Sequence, residues 1–189
     1  MVKTESTMVP VGTPAPEFNL PDPAGTTVSL HDYAGRPVVV AFVCNHCPYV
    51  KHIAADLPDV VSELESLGVG FVAINSNADT HPDDSPAAMT SFAREHGWRF
   101  PYLVDGSQEV AKDYRAACTP DFFVFGADHL LAYRGQMDDS RPDGTAVTGA
   151  DLLAAARHVA AGEPVPEPHH PSMGCNIKWK PGNEPEYFG

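Results

Sequence analysis

The chain is short of positive charge. It sets 12 lysines and arginines against 25 acidic residues, a formal net charge of −13 over 189 residues. No basic face is available to grip phosphates, so nucleic acid is not an expected partner, and neither is an anionic membrane surface. The acid excess reads as solubility. Long apolar runs are also missing, and none reaches the length needed to cross a bilayer. Residues 1–12 have neither the basic start nor the apolar centre of a secretory leader, so the expected compartment is the cytoplasm. Cysteine is sparse: Cys44, Cys47, Cys118 and Cys175. In a reducing compartment so few thiols point to catalysis, metal binding or inert packing rather than a structural disulfide framework. There is no internal repeat. The length suits one domain with extensions and a sizeable core.

What is present is organised around residues 37–51. Val38 to Val43 is a β-branched and aromatic run that reads as a strand buried on both faces. Cys44-Asn45-His46-Cys47 follows at its C-terminal end, and Pro48 can open a helix, where its missing N–H costs nothing. A helix start favours thiolate over thiol.

The remaining elements follow by pattern. Residues 1–11 are expected as a loose N-terminal arm. Phe18 to Leu20 and Thr27 to Leu30 read as a hairpin turned at Pro23-Ala24-Gly25. Residues 48–67 carry an apolar face at helical spacing, which Pro58 is expected to kink or break. Val69 to Asn75 is a second buried strand, and residues 77–85 a polar loop. Pro86 to His96 reads as a helix, Tyr102 to Val104 as extended, and Ser107 to Ala116 as a helix capped by Ser107. Phe122 to Phe125 and Leu130 to Tyr133 form a second hairpin. Thr148 to Ala161 is a final helix closed by Gly162. The order predicts an α/β three-layer sandwich with a mixed central sheet, an N-terminal β-hairpin extension and a Pro-rich C-terminal tail. Residues 12–162 form the domain. Residues 163–189 form the tail, whose Ile177, Trp179, Tyr187 and Phe188 argue that it packs back.

These features resemble the thioredoxin superfamily, within the redoxin branch that includes peroxiredoxins. The resemblance is carried by Gly12-x-x-Ala15-Pro16-x-Phe18-x-Leu20, by the strand into Cys44-Asn45-His46-Cys47, by Thr119-Pro120 where thioredoxins keep a cis-proline, and by Phe42 to Leu67. It spans residues 10–162. The chain departs from the pattern at Val38, where thioredoxins carry a buried acid, and at Val43, where they carry tryptophan. The Pro-x-x-x-Thr-x-x-Cys pattern of peroxiredoxins is incomplete: counted from Cys44, Pro37 is in place but Ala41 stands for threonine.

The resemblance implies a thiol–disulfide oxidoreductase. Cys44, expected to be the more exposed, is the nucleophile, and Cys47, expected to be buried, resolves. His46 between them is expected to make the pair more oxidising than thioredoxin, within a family range of about −270 to −120 mV. Thr119 and Pro120 form the substrate-facing loop. A peroxiredoxin-like peroxidase and a non-catalytic redox sensor or binding module are the alternatives. Cys118 is either a packed small hydrophobe or a third redox centre. Cys175 is either a resolving cysteine or a buried tail anchor. The implied partners are a protein or small-molecule disulfide or thiol, or a peroxide, with thioredoxin or a low-molecular-weight thiol as electron donor. No cofactor is expected. A metal site would draw on Cys44, His46, Cys47 and His52, with His169, His170 or Cys175 from the tail. Asp138 and Asp139, with Arg141 beside them, read as a solvated charged loop.

Overall fold

The computed structural model describes residues 3–142 and 144–188. Its centre is β4 (Val38–Phe42), buried along its whole length. Parallel β5 (Gly70–Asn75) lies on one side and antiparallel β8 (Asp121–Phe125) on the other. β6 (Tyr102–Val104) and β9 (Leu131–Gly135) extend the sheet, giving the order β6-β5-β4-β8-β9. The alternation of side chains along β4 divides the core in two. Val39, Ala41 and Val43 pack with α1 (Pro48–Ile53), α2 (Leu57–Ser66), α3 (Pro86–Glu95) and α5 (Ala150–Ala160). Val38, Val40 and Phe42 pack with α4 (Glu109–Asp113) and with the hairpin of β2 (Asn19–Pro21) and β3 (Thr27–Ser29). The mixed-sheet sandwich is therefore as expected.

The expected break in the helix over 48–67 falls after Ile53, giving two helices. Pro58 lies in the first turn of α2 and cannot donate to the carbonyl four residues back. That carbonyl, on Ala54, accepts the Trp98 Nε1–H at 2.9 Å instead. The helix over 107–116 is shorter, and Gln108, in left-handed conformation, stands at the cap position in place of Ser107. Residues 1–11 are not a loose arm throughout: Lys3–Glu5 forms β1, antiparallel to β10 (Met173–Asn176) of the tail. β10 also pairs with the two-residue β7 (Cys118–Thr119), so the first and last strands meet beside the central sheet. No pattern in three residues could announce this pairing, because its partner lies at the other end of the chain.

Ile177 is buried, and the Arg115 guanidinium lies 5.0 Å from the Tyr187 ring centre. The acidic loop is not simply solvated. Asp138 is buried and accepts N–H groups from Ser140, Thr148 and Gly149 at 3.0, 2.6 and 2.7 Å, anchoring the entry to α5. Burial opposes its charge, but these bonds hold the carboxyl below the usual carboxylate range. No helix among the described residues is long and apolar enough to cross a membrane.

Candidate active site

β4 delivers Val43 and Cys44 to the top of the sheet, and Cys47 stands at the N-cap position of α1 with Pro48 behind it. Both sulfurs have zero exposure. The expected difference in exposure between Cys44 and Cys47 is therefore not found: Thr119, before β8, lies against both sulfurs, and Cys175 of the tail strand lies against Cys47. The Thr119–Pro120 peptide is cis. Thr119 touches both thiols: its hydroxyl lies 3.1 Å from Cys44 Sγ, and its carbonyl oxygen lies 3.1 Å from Cys47 Sγ. Cys175 Sγ lies 2.8 Å from Cys47 Sγ. All four cysteines are thiols, with no disulfide between them.

The environment separates the thiols electrostatically. Cys47 receives hydrogen bonds from the Cys175 and Cys44 thiols and from the Val50 and Cys175 N–H groups, which pull its pKa well below that of an ordinary cysteine. Burial and the Thr119 carbonyl favour the protonated form, but the hydrogen bonds, led by the Cys175 thiol, outweigh them and place the charge on Cys47. Cys44 moves the other way. Burial pushes its thiol up, as do the hydrogen bond with Cys47 and the charge of Asp84, and only the Thr119 hydroxyl works against them.

Asp84 completes the turn. It is fully buried, and Oδ1 accepts the Asn45 N–H at 2.5 Å and the Asn75 amide at 3.1 Å. Oδ2 pairs with His46 Nδ1 in a short hydrogen bond. The His81 ring stacks on His46 with centroids 3.9 Å apart, and the Tyr102 hydroxyl donates to Asn45 Oδ1 at 2.9 Å. Burial works against the Asp84 charge, but the bonds from His46, Asn45 and Asn75 hold it ionised. His46 is thus engaged by a carboxylate rather than placed as a lone cation beside the thiols. Asp84, Asn75, His81 and Tyr102 were not singled out from sequence, since an acid in a polar loop carries no signal of its own.

Of the ligand set considered from sequence, the cysteines Cys44, Cys47 and Cys175 come together, but His52 and His169 do not join them. His52 Nε2 contacts Ser140 Oγ at 3.1 Å, and His169 lies against Arg134. Among the described residues, those that could hold an ion are Cys44, His46 and Asp84, whose ligand atoms lie within 4.8 Å of one another. Cys118 Sγ faces the Pro120 carbonyl at 3.6 Å, in a fully buried position where burial raises its pKa, which suits a packed small hydrophobe.

One further buried acid lies nearby. Asp121, the first residue of β8, accepts the Ser6 hydroxyl at 2.7 Å, and burial raises its pKa to about 7.

The chain is similar to known redox proteins. It is 34% identical over 158 residues to the putative peroxiredoxin Rv2521 of Mycobacterium tuberculosis, covering 83% of this chain and 94% of that one. It is 27% identical over 121 residues to the thiol-disulfide oxidoreductase ResA of Geobacillus kaustophilus, covering 64% and 66%. Among solved structures, an uncharacterized conserved protein from Geobacillus kaustophilus superposes with a TM-score of 0.92 at 50% identity, covering 96% and 98%. The thioredoxin domain of a thiol-disulfide oxidoreductase from Bacteroides vulgatus shares the fold, with a TM-score of 0.58 at 18% identity over 68% of this chain and 89% of that one. With the family model matching residues 11–134, on a thioredoxin-like α/β fold, the chain belongs to the AhpC/TSA family of redoxins.

Proposed function

We propose that this protein is a thiol–disulfide oxidoreductase working through Cys44 and Cys47. The observation that carries the reading is Thr119, which stands beside Pro120 and contacts both sulfurs, so that one loop governs both thiols. The thiolate is the attacking species. Charge resides on Cys47 at rest, so the first attack on a substrate disulfide falls to Cys47, and Cys44 closes the ring. That order reverses the one expected from sequence, where exposure of Cys44 was the argument. In the exchange, the Cys47 thiolate forms a bond to one substrate sulfur and the other leaves as a thiolate. Cys44 then attacks Cys47, giving a Cys44–Cys47 disulfide and releasing the second substrate thiol. A thioredoxin or a low-molecular-weight thiol would return the pair to the reduced state. A cytoplasmic setting suits that reductant.

Trapping tests the assignment. With Cys175 also replaced by serine, Cys44→Ser should accumulate a mixed disulfide at Cys47 when mixed with glutathione disulfide, while Cys47→Ser in the same background should not accumulate one at Cys44. The opposite result restores Cys44 as the nucleophile. Failure of the wild-type protein to exchange with any disulfide removes the reading.

Peroxide reduction is the second reading. It is favoured by the zero exposure of both sulfurs, which admits a small oxidant more readily than a folded protein. The Cys47 thiolate would take one oxygen from the peroxide and release an alcohol or water. Cys44 would then condense with the sulfenic acid, forming the disulfide and water. Steady consumption of hydrogen peroxide with a thiol donor distinguishes it from disulfide exchange.

A further inference from the structure

The tail strand occupies a position that a simple anchor would not need. β10 lies between β1 and β7 and sets Cys175 opposite Thr119, the residue before Pro120. An exposed strand edge is where an extended peptide adds to a sheet. Here the protein's own tail fills that edge. The approach is close: a Cβ on Gly174 would fall 1.9 Å from the Thr119 carbonyl oxygen, so only glycine lets the strand lie there. The strand is pinned on both sides. Ser172 N–H donates to Ser6 Oγ at 2.9 Å, and Lys178 N–H donates to Asn77 Oδ1 at 2.8 Å. Between these pins the Cys175 thiol meets Cys47, not another apolar group.

Taking the Cys44–Cys47 dithiol as its starting point, we propose that Cys175 is a third redox thiol, and that Cys47 forms disulfides alternately with Cys44 and with Cys175. Cys175 is reached from Cys47 without displacing any strand, while Cys44 is held on the other side by Thr119 Oγ1. In the resting protein the Cys175 proton is shared with the charged Cys47. Once Cys47 enters a disulfide with Cys44 it neither accepts that proton nor carries charge, which removes the main influence holding the Cys175 proton and leaves burial set against the charge of Lys178. The Cys175 thiolate then attacks Cys47 Sγ. The Cys47–Cys175 bond forms, the Cys44–Cys47 bond breaks, and Cys44 leaves as a thiolate that takes up the proton lost by Cys175. No electrons are gained or lost in this swap. The product has a tail covalently fastened across the Thr119 edge and a reduced Cys44. An external thiol that attacks Cys175 frees the Cys47 thiolate and reopens the edge, leaving a mixed disulfide on Cys175; a second thiol resolves it, and the two thiols leave as one disulfide.

Disulfide mapping by mass spectrometry tests this on the full chain equilibrated in glutathione redox buffers. The wild-type protein should yield a peptide pair joined through Cys47 and Cys175 in part of the oxidised population. Cys44→Ser should form that bond alone, and Cys175→Ser should form only Cys44–Cys47. If Cys44→Ser carries only glutathione on Cys47 while Cys175 stays open to alkylation, the third-thiol role is overturned. Should Cys44→Ser fail to fold, absence of the Cys47–Cys175 peptide from the wild-type map in every buffer overturns it equally. Cys175→Ser reports separately on the dithiol: if it forms Cys44–Cys47 while Cys47–Cys175 never appears, this inference falls and the proposed function stands. If Cys47–Cys175 forms and Cys44–Cys47 never does, Cys175 keeps its role and the Cys44–Cys47 reading falls.

Discussion

The Asp84 carboxylate accepts the main-chain N–H of Asn45 at 2.5 Å across 39 residues of sequence. The second residue of the Cys-x-x-Cys turn is thereby fixed by a loop from the far side of β5, and the same carboxylate holds His46.

Asp84→Asn should therefore loosen the turn and change its chemistry together. Removing a buried carboxylate acceptor and leaving its donors imperfectly paired costs on the order of 1–3 kcal/mol. The Asp84 charge also raises the Cys44 pKa, so its loss should speed alkylation of Cys44 near neutral pH. Denaturant unfolding and time-resolved alkylation measure the two effects. An unchanged midpoint with unchanged Cys44 reactivity would show that the Asp84 contacts are inert.

The charge on Cys47 should be visible directly. An ordinary cysteine is protonated at about pH 5, yet the reduced protein should retain ultraviolet thiolate absorbance there. Cys47→Ser should abolish it. Cys175→Ala removes the first of the donors that lower the Cys47 pKa, and should move the titration upward. A reduced protein with no thiolate signal below neutral pH is incompatible with this charge placement.

Asp121 gives a pH dependence of stability with a definite sign. Its carboxyl titrates near 7 in the folded chain and near its ordinary value of 3.8 when unfolded. Between those values the folded state holds the extra proton, so this group's contribution is full at low pH and is lost as pH rises toward 7, at no more than about 1.4 kcal/mol per pH unit. Asp121→Asn should flatten that part of the curve. Unfolding free energies of both proteins at a series of pH values across this window provide the comparison, and parallel curves would refute the shift.

Gly174→Ala places a Cβ against the Thr119 carbonyl. The backbone must part, at a cost of roughly 1–3 kcal/mol, and β10 should lift from β7. Limited proteolysis should then cut the tail faster than in the wild type, and hydrogen exchange at Cys175 and Asn176 should rise. Equal protection in both proteins would mean that the strand accommodates the methyl group.

What was legible in the sequence was local. The run Val38 to Phe42 announced a strand buried on both faces, the dithiol stood at its end, and Pro48 marked the helix start. Thr119-Pro120 was read through family resemblance rather than through any pattern of its own. The parts that escaped come from distant segments. Asp84 lies in a loop with no periodicity, and the Cys47–Cys175 contact spans 128 residues. The break before α2 was half visible: Pro58 gave the disruption, but the Trp98 side chain that takes up the Ala54 carbonyl arrives from beyond α3. Patterning reports the face a residue turns to its neighbours, and says nothing of which remote group waits there.

The pairing of the first and last strands orders events in time. Loop closure is costlier the longer the intervening chain, and β1 with β10 closes nearly the whole of it. During synthesis Cys44 and Cys47 emerge long before Cys175 exists, and the newborn chain presents these two sulfurs with the Thr119 edge uncovered. The three-sulfur, covered centre belongs to the finished molecule. The redox behaviour of a nascent or C-terminally clipped chain is accordingly a separate state from that of the mature protein, set by how much of the tail has arrived.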